Sequence, residues 1–179
     1  MTEVFLAALA AYCAVNVLIL WACFKKGKKA EAKSTAVAFG LFWAVTLTDR
    51  IFHLDLPPLD LFFLMAALTL HSIFGVYLDL FHRSRTFDRL VHGVGSFSYA
   101  VLLYDLLSKI IRYGGSAVFR ALYAMLLGIS LGAIYEIFEF AADAKRSDKM
   151  QRGQRDTDFD LVFDVAGALC AAGFIYFTV

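Results

Sequence analysis

The sequence predicts an all-α fold, an integral membrane bundle of six transmembrane helices. Three observations carry that expectation. Apolar residues fill 60% of the 179 positions and charged residues only 18%, which is far from the balance of an ordinary soluble domain. The apolar positions gather into six runs, each near the ~20 residues that cross a bilayer. Strand-like alternation is absent, so of the two structures that satisfy their backbone in lipid, helices and closed barrels, the helix is expected.

The first run, Val4 to Phe24, is long, has only Glu3 ahead of it and is followed at once by Lys25 and Lys26. It reads as a retained anchor and not as a cleaved signal. The second, Ser34 to Leu54, becomes polar at its end with Asp49, Arg50 and His53. Pro57-Pro58 makes a tight turn that no helix crosses. The third runs from Leu59 to Leu80, and a loop with Arg83 and Arg85 leads to the fourth, Phe87 to Leu107. Gly114-Gly115 marks the next turn; the fifth run spans Ser116 to Ala142 and the sixth Thr157 to Val179. With no soluble-looking block, residues 1–179 read as a single transmembrane domain. Cys13, Cys23 and Cys170 sit in apolar runs, match no metal spacing and suggest no disulfide framework.

Lys and Arg set the orientation. The odd-numbered connections carry Lys25, Lys26, Lys28, Lys29, Lys33, Arg83, Arg85, Arg89, Lys145, Arg146, Lys149, Arg152 and Arg155. The even-numbered connections and helix ends carry Arg50, Lys109, Arg112 and Arg120. The odd connections are therefore expected in the cytoplasm and both termini outside. Gly128 and Gly132 give a GxxxG spacing on the fifth run, and Ala166 to Ala168 with Ala171 to Gly173 make the sixth thin. Close packing of these two helices through Gly128, Gly132, Gly167 and Ala171 is expected.

Ionisable groups repeat at helical spacing on the last three runs. Asp88 and His92 are four apart, with Gly95 continuing their face; Glu136 and Glu139 are three apart, with Asp143 beyond; Asp156, Asp160 and Asp164 repeat every four. Residues three or four apart share a helix face. At 1.5 Å per residue Glu136 lies roughly 9 Å, and Asp164 about 10 Å, inside the cytoplasmic ends of their helices. Carboxylates this close repel, which protonation, a basic partner or a cation must relieve. Asp88, His92, Glu136, Glu139, Asp160 and Asp164 are thus expected to converge in one cavity as metal ligands, with His92, Glu136 and Asp160 as catalytic candidates. Oxygen ligands with one imidazole suit Mg²⁺ or Mn²⁺, with Zn²⁺ or Fe²⁺ behind them. His71 and Asp79 on the third run point to the same half. The competing structural reading pairs each acid with Arg89, Arg152 or Arg155 at the membrane rim.

Other patterns fall away. The run from Asp156 starts like a calcium loop, but Leu161 stands where the turn needs Gly and Gly167 where it closes with Glu. Thr157 with Asp160 fits a helix N-cap arrangement. The basic loops look like topology signals that touch anionic lipid, not a nucleic-acid surface. Asp49, Arg50 and His53 read as an internal ion pair before a substrate gate.

Phe87-Asp88-Arg89-Leu90-Val91-His92, Tyr135-Glu136-Ile137-Phe138-Glu139, Gln154 to Asp160 and Asp164-Val165-Ala166-Gly167-Ala168 together resemble the YjdF family of small bacterial inner-membrane proteins. The likeness covers the second half of the chain, and the acid-rich end is distantly similar to the VanZ family. The YjdF resemblance implies a multi-pass protein of the bacterial plasma membrane and leaves the chemistry unassigned. The residues admit three functions: a metal-dependent enzyme on a phosphate-bearing lipid, a cation- or proton-coupled transporter, and a non-catalytic scaffold. Whether the chain is an enzyme at all, its substrate (a lipid or a small ion) and its oligomeric state stay open at this stage; the bilayer is its one firm partner.

Overall fold

A computed structural model describes residues 3–111, 115–144 and 150–179. Arg112 and Gly114, and likewise Lys145, Arg146 and Lys149, lie outside the described residues. Among those described there is no strand, and six helices are long and apolar enough to cross a membrane. The chain divides into two compact units, Met1–Phe87 and Asp88–Val179.

The first unit contains α1 (Glu3–Lys25), α2 (Lys29–Phe52), α3 (Pro58–Thr69), a π-helical stretch (Leu70–Tyr77) that prolongs α3, and the short α4 (Leu80–Arg83). Gly27 makes the α1–α2 turn at φ +69°, a left-handed conformation open to glycine. Helix α2 begins five residues earlier than its apolar run, because Lys29, Ala30 and Glu31 are good helix formers. It ends at His53, which is left-handed, and the Asp49 carboxylate accepts the Leu56 amide at 2.9 Å. Asp49 therefore fastens the turn itself, while Arg50 stays 4.0 Å from it. Pro58 is the first residue of α3, where a missing N–H costs nothing. Tyr12 packs its ring on Phe39 and Phe42, and Ser34 and His71 share a hydrogen bond of 3.0 Å.

The second unit holds nearly all of α5 (Arg85–Ile111), then α6 (Ala117–Asp143) and α7 (Gln154–Thr178). Ser84 and Ser116 cap α5 and α6, each accepting the amide three residues on at 3.2 Å. Helix α7 starts at Gln154 after Gly153. Thr157 therefore lies inside the first turn, its amide facing Gly153 O, and is not the expected N-cap. Helices α6 and α7 pack along their length. Gly128 meets Ala168 of α7 and also Ala100 of α5, and Gly132 meets the Asp164 side chain. Gly167 departs from expectation: its close neighbour is the main chain of Gly93 on α5. The Ser96 hydroxyl, 2.9 Å from Asp164 O and 3.1 Å from Gly128 O, is shared between α7 and α6. Large apolar side chains such as Ile137, Phe140, Val162 and Phe177 point outward. That is the surface a bilayer accepts and water does not.

Candidate functional site

The inward stripe of each helix in the second unit mixes small residues with acids. On α6 the buried positions are Ala124, Gly128, Gly132, Glu136, Glu139 and Asp143. On α7 they are Asp156, Asp160, Asp164, Gly167, Ala168, Ala171 and Ile175. On α5 they include His92 and Ser96. Small residues let the backbones approach at one end of each stripe, and that approach carries the acids of the other end together. Gly95 is expected to continue the His92 face, but a Cβ there would meet only the Tyr99 side chain of its own helix; Gly93 and Ser96 make interhelical contacts instead.

His92 stands at the centre. Its Nδ1 lies 3.3 Å from Asp164 Oδ2 and its Nε2 3.7 Å from Glu136 Oε1. Each ring nitrogen thus faces a carboxylate oxygen, which accepts a proton-bearing nitrogen's hydrogen bond. The edge of the imidazole meets the ring of Tyr135, 5.5 Å away between centroids. Ligand atoms of His92, Glu136 and Asp160 all lie within 4.8 Å of one another, and those of Asp88, Asp156 and Asp160 do the same. Glu136 Oε1 and Asp160 Oδ1 are buried and lack a hydrogen-bond partner. A buried unsatisfied carboxylate oxygen is costly, so both atoms fit a ligand. Glu139 belongs to neither set; it is buried one turn from Glu136, within electrostatic range of His92, Asp88 and Asp160. Asp164 too is outside both sets and acts on the imidazole.

The segment before α7 closes over this end of α6. Asp143 accepts the amides of Met150 and Gln151 at 2.8 and 2.9 Å. Gln151 then donates its side-chain amide to Glu136 O and Oε2, at 3.0 and 2.8 Å. Nothing in the sequence singled out Gln151, because its role depends on a chain reversal that no local pattern encodes. Arg152 lies 3.6 Å from Asp88 Oδ2 and donates its amide to Asp156. Arg89 and Arg155 place their guanidinium groups over the Phe159 ring, at 4.1 and 5.7 Å. Of the three arginines of the rim reading, one reaches a candidate acid as an ion pair among the described residues. A groove of about 930 Å³ runs along α6, the following segment and α7. Its wall is apolar at Ala133, Ile137, Phe140 and Leu161 and polar at Glu136, Gln151 and Thr157.

The earlier part of the chain holds the remaining candidates. His71 bonds Ser34, and Asp79 pairs with His82 at 2.7 Å and Arg83 at 3.4 Å.

A family model described as "Predicted membrane protein (DUF2238)" matches residues 7–179. A protein of Thermotoga maritima, described as an uncharacterized protein, is 30% identical over 145 residues, covering 78% of this chain and 76% of its own. No solved structure matches. The distant VanZ likeness finds no support in these matches.

Proposed function

The chain belongs to the DUF2238 family of predicted membrane proteins, and from that premise we propose that it is a divalent-cation-dependent enzyme acting on a phosphate-bearing lipid. The YjdF likeness is taken as the same kinship, with the protein in a bacterial plasma membrane and both termini outside. The observation that carries the proposal is the buried set His92, Glu136 and Asp160, ligand atoms within 4.8 Å, with an oxygen on each carboxylate that has no hydrogen-bond partner. Oxygen donors with one imidazole fit Mg²⁺ or Mn²⁺. Asp164 orients His92 as the outer carboxylate of a metal-bound histidine does. A cation held there would polarise a phosphoryl oxygen and lower the pKa of a water.

The groove supports the lipid half of the reading. Its apolar wall suits an acyl chain, and Glu136 and Thr157 lie where a head group would stop. Gln151, held by Asp143 and bonded to Glu136, fixes the Glu136 side chain for its task. The reaction is hydrolysis: water attacks phosphorus, the bond from phosphorus to the lipid alcohol breaks, and the alcohol oxygen takes the proton that the water loses.

Two measurements test this in sequence. Purified full-length protein in detergent is titrated with Mn²⁺, and free ion is followed by electron paramagnetic resonance. The native protein should bind, and Glu136→Gln and Asp160→Ala should each weaken binding at least tenfold while circular dichroism stays helical. Phosphate release from vesicles carrying phosphatidic acid or another phosphomonoester lipid should then need the cation and cease with chelator. A native protein that binds no ion removes the metal, and binding without phosphate release from any such lipid removes the enzyme and leaves a cation carrier.

A further inference from the structure

We infer that Arg89 of α5 and Arg155 of α7 together bind a phosphate group, on the side of α7 away from the groove. The inference is independent of the cation reading and of the acids around His92. Gly93 of α5 meets Phe163 and Gly167 of α7. One helical turn nearer the ends, the same approach sets Arg89 over the Phe159 ring, 4.1 Å from its centre. Arg155 reaches that ring from its own helix, at 5.7 Å. Thr157 and Leu161 line the groove. Arg155 and Phe159 are each two residues from Thr157, and residues two apart do not share a helix face.

Two cations thus meet at one ring. Among the described residues neither guanidinium has a carboxylate within ion-pair distance. Their chain neighbours turn elsewhere: Asp88 to the Arg152 guanidinium, and Asp156 to the Arg152 main-chain amide. The Nε of Arg89 is buried and has no hydrogen-bond partner. A ring face attracts each cation, but it carries no net charge, so the repulsion between the two remains. An anion relieves that repulsion, and one with several oxygens also accepts the idle N–H groups. Phosphate matches the planar fork of a guanidinium with two parallel hydrogen bonds.

The surface beside the pair favours a lipid as the bearer of that phosphate. Phe159, Val162, Ala166 and Leu169 follow Arg155 at helical spacing and share its face. Val162, Ala166 and Leu169 are exposed, on a helix apolar enough to cross a membrane. An acyl chain lying along that stripe would end with its phosphate at Arg155. Basic residues at the ends of membrane helices hold anionic head groups in this manner. Free phosphate would use the same N–H groups without the stripe, so the two sources differ in affinity.

Binding is measured on delipidated full-length protein in detergent with chelator present, so the outcome does not depend on the cation site. Phosphatidic acid, diacylglycerol with the same chains, and inorganic phosphate are titrated separately, and adducts are read by native mass spectrometry. Phosphatidic acid should bind at one tight position, and diacylglycerol at least tenfold more weakly. The double variant Arg89→Gln/Arg155→Gln should weaken phosphatidic acid at least tenfold, with helical circular dichroism unchanged. Lys25→Gln/Lys29→Gln removes the same charge from the first unit and should leave that affinity unaltered. In the native protein the lipid should shield Arg89 and Arg155, but not Arg83, from phenylglyoxal, with the modified positions located by peptide mass spectrometry. That readout needs no variant to fold. Inorganic phosphate that binds as tightly as the lipid, with the same shielding, supports the site and makes free phosphate its ligand. Equal binding by the native protein and the arginine variant, an equal loss in the lysine variant, or no shielding of either arginine overturns the inference.

Discussion

Gly167→Ala is the sharpest test of how the second unit is held together. A Cβ at this position would run into the main-chain oxygen of Gly93 on α5. An oxygen inside a helix cannot rotate aside as a side-chain end can, so α5 and α7 would have to part. Overpacking of this kind costs about 1–3 kcal/mol. Against it stands the gain from replacing glycine inside a helix, about 1 kcal/mol at most. The net is a loss of up to about 2 kcal/mol. Gly173→Ala on the same helix is the control, since no atom lies within 4 Å of its Cβ; it should be neutral or stabilising by up to about 1 kcal/mol. The Gly167→Ala protein should therefore be the less stable of the two. The assay is thermal unfolding in one detergent, followed by circular dichroism and by gel filtration of heated samples. Tryptophan fluorescence would not serve, because Trp21 and Trp43 both belong to the first unit. A Gly167→Ala protein as stable as the Gly173→Ala protein would refute the close approach of α7 to α5.

Two further outcomes follow from other parts of the chain. The Asp79 carboxyl is held below its ordinary value of 3.8, first by the hydrogen bond with His82 and then by the nearby charges of His82, Arg83 and Lys28. A depressed carboxylate contributes above its ordinary value and loses that contribution as pH falls through the lower folded value, so the His82 ring resonance should step below pH 3.8 and Asp79→Asn should abolish the step. The pair is exposed, so its effect on stability is small; a step at or above 3.8 would contradict the pairing. Cysteine labelling in intact cells should find both termini outside, as the Lys and Arg distribution requires, and a cytoplasmic terminus at either end would defeat that topology.

The sequence by itself determined the helices and the solvent they meet. Length and hydropathy decide whether a helix can span a bilayer, and both are properties of consecutive residues. The six runs accordingly became six such helices, with boundaries moved by a few residues where Lys29 or Gln154 extends a turn. The shared faces of Asp88 with His92, of Glu136 with Glu139, and of Asp160 with Asp164 were legible for the same reason, because helical periodicity is local. What lay outside local information was which face meets which. Only the tertiary structure set Gly167 against Gly93 instead of against α6, gave Ser96 its place between two helices, and placed Asp164 at one ring nitrogen of His92 with Glu136 at the other. Gln151 owes its contact with Glu136 to the path of the chain between α6 and α7. Asp156, read in the sequence as one more acid of a repeat, became a partner of Asp88 and Asp160 through the approach of α5 to α7. Periodicity orients a side chain about its own helix axis, but the distance between two helices is set by the small residues both must present at the same height.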